Sequence, residues 1–295
     1  VIIVRFRGGM GNQMFQYAFL RYLEMKGATL KADLSEFKCM KTHAGYELDK
    51  AFDLHPAEAS YKEIRAVADY IPVMHRFPFS RKVFEILYKK ETKRVEAEGP
   101  KKSHISEEKY FDMSEDERLH LASSSEDLYM DGFWIKPDMY DDEVLKCFTF
   151  SKTLDEKYKG TIEDEHSCSV HVRCGDYTGT GLDILGKEYY EKAAEKILSE
   201  DADVKFYVFS DDREKAEKLL SPFMKKMVFC DTPASHAYDD MYLMSRCRHH
   251  IIANSTFSFW GARLSADKSG ITICPKYEDK NNTANRLVHE GWQML

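Results

Sequence analysis

The sequence predicts an α/β protein of two Rossmann-like lobes facing a cleft, with the C-terminal lobe a parallel sheet covered by helices. Three observations carry this. A short β-branched run opens the chain and leads through a glycine turn into an apolar pattern of helical period. The second half alternates strand-like and helix-like segments throughout. The chain has 295 residues, 43% hydrophobic and 32% charged, which is one large or two medium domains with a real core and a solvated surface.

Each element has its own warrant. Residues 1–6 form a β-branched strand, and Gly8, Gly9 and Gly11 follow it. Met14, Phe15, Ala18, Phe19, Tyr22 and Leu23 then recur at helical spacing up to Gly27. Residues 29–34 read as a second strand. Strand, glycine turn, helix and strand open a Rossmann-like unit. Residues 39–150 are mostly helical and irregular. Within them residues 91–109, charged and holding Gly99 and Pro100, read as a flexible loop, and residues 127–133 return as a strand. Beyond residue 155 the pattern is regular. Strands fall at 167–173, 204–210, 227–231, 250–253 and 271–274. Helices fall between them at 187–198, 212–220, 238–247 and 256–266. Such alternation calls for a parallel sheet covered on both faces. The lobes are taken as residues 1–155 and 156–295.

Composition excludes several function classes. The formal net charge is -7, which disfavours nucleic-acid binding, since that needs basic surface to displace counterions. Seven cysteines, with no C-x-x-C spacing, disfavour a disulfide framework and a structural zinc site, and a reducing cytoplasm is the simplest home. No signal peptide is recognised, and no apolar run approaches the roughly 20 residues a spanning helix needs. The basic, aromatic stretch 73–94 fits peripheral contact with an anionic membrane, but it fits a solvated basic helix with one buried face more simply.

Open α/β sheets bind ligands outside the carboxyl ends of their strands, and four strand ends carry chemistry. The first reads Arg7, Gly8, Gly9, Met10, Gly11, Asn12, Gln13. Glycines let backbone approach a ligand, and a helix N-terminus favours an anion. A tight turn with no ligand reads the same way. Met14 stands where a dinucleotide fingerprint needs its third glycine. The second runs from His171 through Val172, Arg173, Cys174, Gly175 and Asp176 to Tyr177. Alternation puts His171 and Arg173 on one face at the strand mouth, and a planar guanidinium suits a pyrophosphate. The bland alternative is an ion pair between Arg173 and Asp176. The third is Phe209, Ser210, Asp211, Asp212, where one acid caps the following helix and the other is left for a base or ribose. The fourth, Asn254, Ser255, Thr256, Phe257, Ser258, Phe259 and Trp260, opens a helix with hydroxyls that make a phosphate seat or an ordinary cap. The D-x-D formed by Asp201 and Asp203 precedes a strand, the wrong end of the sheet for a metal at the ligand. No metal site and no cofactor is expected.

Together these stretches resemble the α-1,2-fucosyltransferases of glycosyltransferase family 11. RGGMGNQMFQYA is similar to that family's opening, HVRCGDY to its arginine motif, and YVFSDD and NSTFSFWGA to two later motifs in the same order. Cys174 departs from the second arginine the family usually has there. The resemblance implies a GT-B-type fold and GDP-β-L-fucose as donor substrate. It implies transfer to O2 of a terminal galactose on a glycan, with inversion and no required metal. It assigns the donor diphosphate to Arg173, with His171 orienting it. Donor contacts then fall to Gly9, Gly11, Asn12, Gln13, His171, Arg173, Asp211, Asp212, Asn254, Ser255, Thr256 and Ser258. Asp176 is the first choice of general base, with Asp183 or Glu188 in reserve. Rival readings are a GDP-sugar transferase of other linkage or acceptor, a nucleotide-dependent oxidoreductase, and a non-catalytic nucleotide-sugar-binding protein.

Overall fold

The computed structural model describes residues 1–38, 45–70, 80–162, 165–173, 185–233, 236–277 and 283–295. The chain divides into two compact units. One comprises Val1–Asp49, Leu54–Trp134 and Tyr140–Cys147, and the other Lys50–Asp53, Ile135–Met139 and Phe148–Leu295. The helix Lys152–Tyr158, which a boundary at 155 would cut, lies wholly in the second unit, where Leu154 packs in one cluster with Tyr207 and Phe209.

The first unit is built on strands β1 (Ile2–Arg5), β2 (Leu30–Asp33), β3 (His104–Ser106) and β4 (Leu128–Asp131). They pair in parallel in the order β2-β1-β4-β3. Hydrophobic periodicity places the helix Met10–Met25 correctly, and its Met14, Phe15, Ala18, Phe19 and Leu23 are fully buried. Gly27 ends it in the left-handed region at φ 93°. Phe19 stacks on Trp134 with ring centroids 3.8 Å apart, and burying each such ring is worth about 2–3 kcal/mol. The loop expected at 91–109 is instead ordered. The helix Ser80–Glu98 runs to Gly99, followed by β3 and the helix Glu107–Asp112. Its charges are the reason: Arg94 pairs with Glu91 and Glu98 one turn away and with Asp69 outside the helix. Val83 and Ile86 on this helix are exposed.

The second unit holds β5 (Ser167–Val172), β6 (Lys205–Ser210), β7 (Met227–Phe229), β8 (His249–Ile251), β9 (Thr272–Cys274) and β10 (Gln293–Met294). The sheet order is β10-β9-β8-β5-β6-β7, again parallel. The two-residue β10 is too short to show a period in sequence. Both faces are covered, as β5 and β6 require. Cys168, Val170, Val172, Phe206 and Val208 pack with Tyr190, Ala193, Ala194 and Ile197 of the helix Lys187–Glu200. On the other face Tyr207 and Phe209 meet Tyr242, Leu243 and Met244 of the helix Ala237–Ser245. Two parallel sheets with helical cover are the α/β, GT-B-type architecture that the sequence predicts.

Candidate active site

The carboxyl edge of the second sheet collects the predicted groups. β5 and β6 pair with Val172 opposite Ser210, so the next residues, Arg173 and Asp211, emerge side by side. Arg173 Nε lies 3.3 Å from Asp211 Oδ2. The partner of Arg173 described here is therefore Asp211. Asp176, with Cys174 and Asp183, lies outside the described residues.

His171, on β5, lies two residues before Arg173 and is 4% exposed. Its carbonyl accepts a hydrogen bond from the Tyr190 hydroxyl at 2.9 Å, and its ring sits 5.7 Å from that of Phe257. Burial, assisted by the Arg173 charge, pushes its pKa down to about 3, so the imidazole is neutral. Its Nδ1 is buried with no hydrogen-bond partner among the described residues. A buried polar atom in that state is a reason to look for a ligand or a water.

The two acids after β6 divide their roles. Asp212 caps the helix Arg213–Leu220, accepting from the Lys215 backbone N–H at 3.1 Å, with Lys215 Nζ at 2.8 Å. Those hydrogen bonds hold its carboxyl below the usual range. Asp211, the second acid, is paired with Arg173 rather than left open.

At the end of β8, Ser255 caps the helix Thr256–Arg263, its Oγ accepting from the Phe257 N–H at 3.3 Å. Asn254 and Ser255 are nearly buried, and Thr256 is half-buried. The sequence also places Ser258 at the donor. The structure turns its hydroxyl inward, onto the carbonyls of Ala253 and Ser255. Phe259 and Trp260 are in the core.

In the first unit Gly9 begins the helix Met10–Met25, and its carbonyl accepts from the N–H groups of Asn12 and Gln13. Gly8 has φ 79°, and a Cβ there would stand 2.7 Å from Asn12 Nδ2. Both facts require glycine. Gly11 is buried and Asn12 half-buried. Gln13 is read from sequence as a donor contact, but its amide is fully used within the unit. Nε2 donates to the carbonyls of Gly8 and Gly45, and Oε1 accepts from the Glu47 N–H. Gln16 does the same for Arg7 and Gly132. These two amides staple the glycine turn, a role that the sequence does not signal.

Asp240, on the first turn of the helix Ala237–Ser245, is a further candidate that strand-end inspection missed, because it lies within a helix and not at a strand end. It accepts from the Thr232 hydroxyl at 2.5 Å, and burial pushes its carboxyl up to about 6. The reserve base Glu188 is exposed and paired with Lys192 at 2.8 Å, which lowers its pKa and makes it a weak base.

Among the described residues no three His, Cys, Asp or Glu side chains converge as metal ligands do. Also among them, five cysteines are free thiols, and no helix is long and apolar enough to cross a membrane.

Comparison with known proteins gives concordant results. The sequence profile described as Glycosyl transferase family 11 matches residues 1–295. The chain is 30% identical to an alpha-1,2-colitosyltransferase of Escherichia coli, over 93% of this chain and 91% of that one. It is 28% identical to the O-antigen biosynthesis glycosyltransferase WbnK of the same organism, over 97% of each. Among solved structures, the fucosyltransferase NodZ from Bradyrhizobium aligns with a TM-score of 0.50 at 16% identity, over 91% of this chain and 95% of that one. That likeness is one of fold.

Proposed function

The chain belongs to glycosyl transferase family 11, and from that premise we propose that it transfers L-fucose from GDP-β-L-fucose to O2 of a terminal galactose, with inversion and without a metal. The second unit binds the nucleotide sugar and the first carries the acceptor. The observation that carries the reading is Arg173 beside the buried, neutral His171 and Asp211, at the edge where parallel sheets bind ligands. The α-1,2 linkage is supported by the name of the colitosyltransferase relative. Free thiols fit a reducing compartment, the cytoplasm.

In this mechanism the acceptor hydroxyl displaces GDP in a single step through an oxocarbenium-like transition state. Negative charge grows on the β-phosphate as the glycosidic bond breaks. Arg173 donates to it, and the N-terminus of the helix Thr256–Arg263 adds its dipole. Asp211 holds the guanidinium in place. His171 is neutral, so it positions without competing for the phosphate as a second cation. Asp176 takes the acceptor proton, since Glu188 is engaged with Lys192. Guanine presents its N1–H and amino group side by side, which a carboxylate matches. Asp211, Asp212 and Asp239 each pair with a cation, Arg173, Lys215 and Lys157, whereas Asp240 is held by the neutral Thr232 hydroxyl, so Asp240 is assigned to the base.

The E. coli relative favours a second reading, in which the donor sugar is colitose. One experiment decides. The protein is incubated with GDP-fucose, GDP-colitose, GDP-mannose and UDP-galactose against a panel of β-galactosides, reading nucleotide release and product linkage. Turnover of GDP-fucose with a new α-1,2 bond to galactose is expected. Turnover of GDP-colitose alone replaces the first reading with the second, and equal use of UDP-galactose sinks both.

A further inference from the structure

On the opposite edge of the second sheet, where β8 and β9 begin, lies a cavity of about 260 Å³. Its walls include Arg248, His250, Arg263, Lys268, Thr272 and Trp292. The strand ends that carry Arg173 and Ser255 are at the other end of the sheet, so the cavity is separate from the donor site.

Two side-chain nitrogens at this cavity are buried with no hydrogen-bond partner among the described residues. His250 is 1% exposed. Its Nδ1 lies 2.8 Å from the Ser169 hydroxyl, and its Nε2 has no hydrogen-bond partner among the described residues. With Nδ1 accepting from Ser169, Nε2 carries the proton and is a donor. Arg248 Nε is likewise buried without a hydrogen-bond partner, its carboxylate neighbour Asp267 being 4.0 Å away. The other oxygen of that carboxylate, Oδ1, accepts from the backbone N–H and the hydroxyl of Ser269, at 2.8 and 2.7 Å. A guanidinium N–H only donates, so it requires an acceptor oxygen. Leaving such groups unpaired costs about 1–3 kcal/mol each, more when charged. The walls carry three cations, Arg248, Arg263 and Lys268, against the carboxylates of Asp267 and Glu290. The carbonyl of Arg263, at the negative end of its helix, is taken by Lys268 Nζ at 2.8 Å, which removes one source of repulsion for an anion.

We propose that this cavity binds the phosphoryl group of a small ligand, either free phosphate or a phosphomonoester, with Arg248 Nε–H and His250 Nε2–H as its buried donors. A phosphoryl oxygen satisfies both, and charge-assisted bonds to an oxyanion are the strongest available to a guanidinium.

The test uses the full chain with ¹⁵N-labelled histidine. Imidazole nitrogen shifts are followed while inorganic phosphate or glycerol 3-phosphate replaces chloride at constant ionic strength, with galactose as a neutral control. A saturable shift at His250 Nε2, separate from the His171 signal, is expected with at least one of the two phosphates, and the comparison identifies the source. Arg248→Met should weaken that binding at least tenfold and leave GDP affinity unchanged. If that variant does not fold, the exposed Lys268→Met decides, with a loss of several-fold. No saturable shift with either phosphate, an equal response in the variant, or a response to galactose instead would overturn the proposal.

Discussion

In the first unit the arginine that closes β1 meets two carboxylates. Arg5 bonds Glu36 and Asp131, each at 3.0 Å, with its guanidinium 4.2 Å over the Tyr70 ring, and its side chain is 18% exposed. Nearby, Asp33 accepts from the hydroxyls of Tyr70 and Tyr129 and from the Ser35 N–H. Arg173, after β5 in the second unit, meets Asp211 through Nε and stays 30% exposed, beside a histidine whose Nδ1 lacks a partner among the described residues. Arg5 ends the first strand of its parallel sheet, and Arg173 directly follows the first strand of its own. Surrounding acids, led by Asp131, outweigh burial and hold Arg5 charged, so it is a structural centre. Arg173 is oriented but accessible, the arrangement a diphosphate requires. An arginine at a strand end is thus read by how exposed it stays and by which groups stand beside it.

The largest expected effect tests that contrast directly. Arg173→Lys keeps the charge and loses the fork, and the diphosphate gains charge only as the bond breaks. kcat should fall roughly a hundred- to a thousand-fold, about 3–4 kcal/mol, with the donor KM changed less and the melting temperature kept. Arg5→Lys should do the reverse, lowering thermal stability while each folded molecule retains its turnover. Equal activity losses in the two variants would break the comparison.

Gln16→Leu sharpens it from the structural side. The substitution leaves the backbone N–H and C=O of Arg7 unpaired beside the glycine turn. A loss of about 2–3 kcal/mol in denaturant unfolding is expected, without a change in the pH profile of turnover. A neutral result would remove the amide staple from the account of this turn.

A smaller effect belongs to Asp240. Its carboxyl is held up at about 6 by burial, and the proposed contact with guanine requires the carboxylate. GDP affinity should therefore decline as pH falls below about 6. Asp240→Asn should weaken GDP about tenfold at neutral pH and flatten that dependence. The stability sign is opposite. A carboxyl raised on folding contributes stability below about pH 4 that is lost as pH rises through 6, so the Asn variant should melt slightly higher at pH 7. Calorimetric titration across pH 5–8 checks the first claim and a melting series the second. The smallest expected effect is none: exhaustive EDTA treatment should leave turnover intact, and loss restored by Mg²⁺ or Mn²⁺ would end the arginine-for-metal argument.

Much of this was legible without coordinates because it is local. Apolar spacing marks the helices Met10–Met25 and Lys187–Glu200, and strand runs mark β1, β5 and β6. That one of the two acids after β6 caps the next helix was legible, since a cap needs only its own next turn, while the structure decides that it is Asp212 and that Ser255 caps after β8. The chain by itself also determined its family, through four short motifs in order. Other features were set by distant partners. Edge strands β3 and β10 exist through pairing rather than pattern. Residues 91–98 are helical partly because Arg94 reaches Asp69. Asp211 meets Arg173 because β5 and β6 align Val172 with Ser210, and Gln13 turns inward because Gly45 and Glu47 return to it. Burial is the main influence on the protonation of His171 and Asp240, in opposite directions, by penalising the charged form of each. Capping and periodicity act over one helical turn or two strand residues, so sequence contains them. Ion pairing and desolvation act through space, so only the tertiary structure decides them.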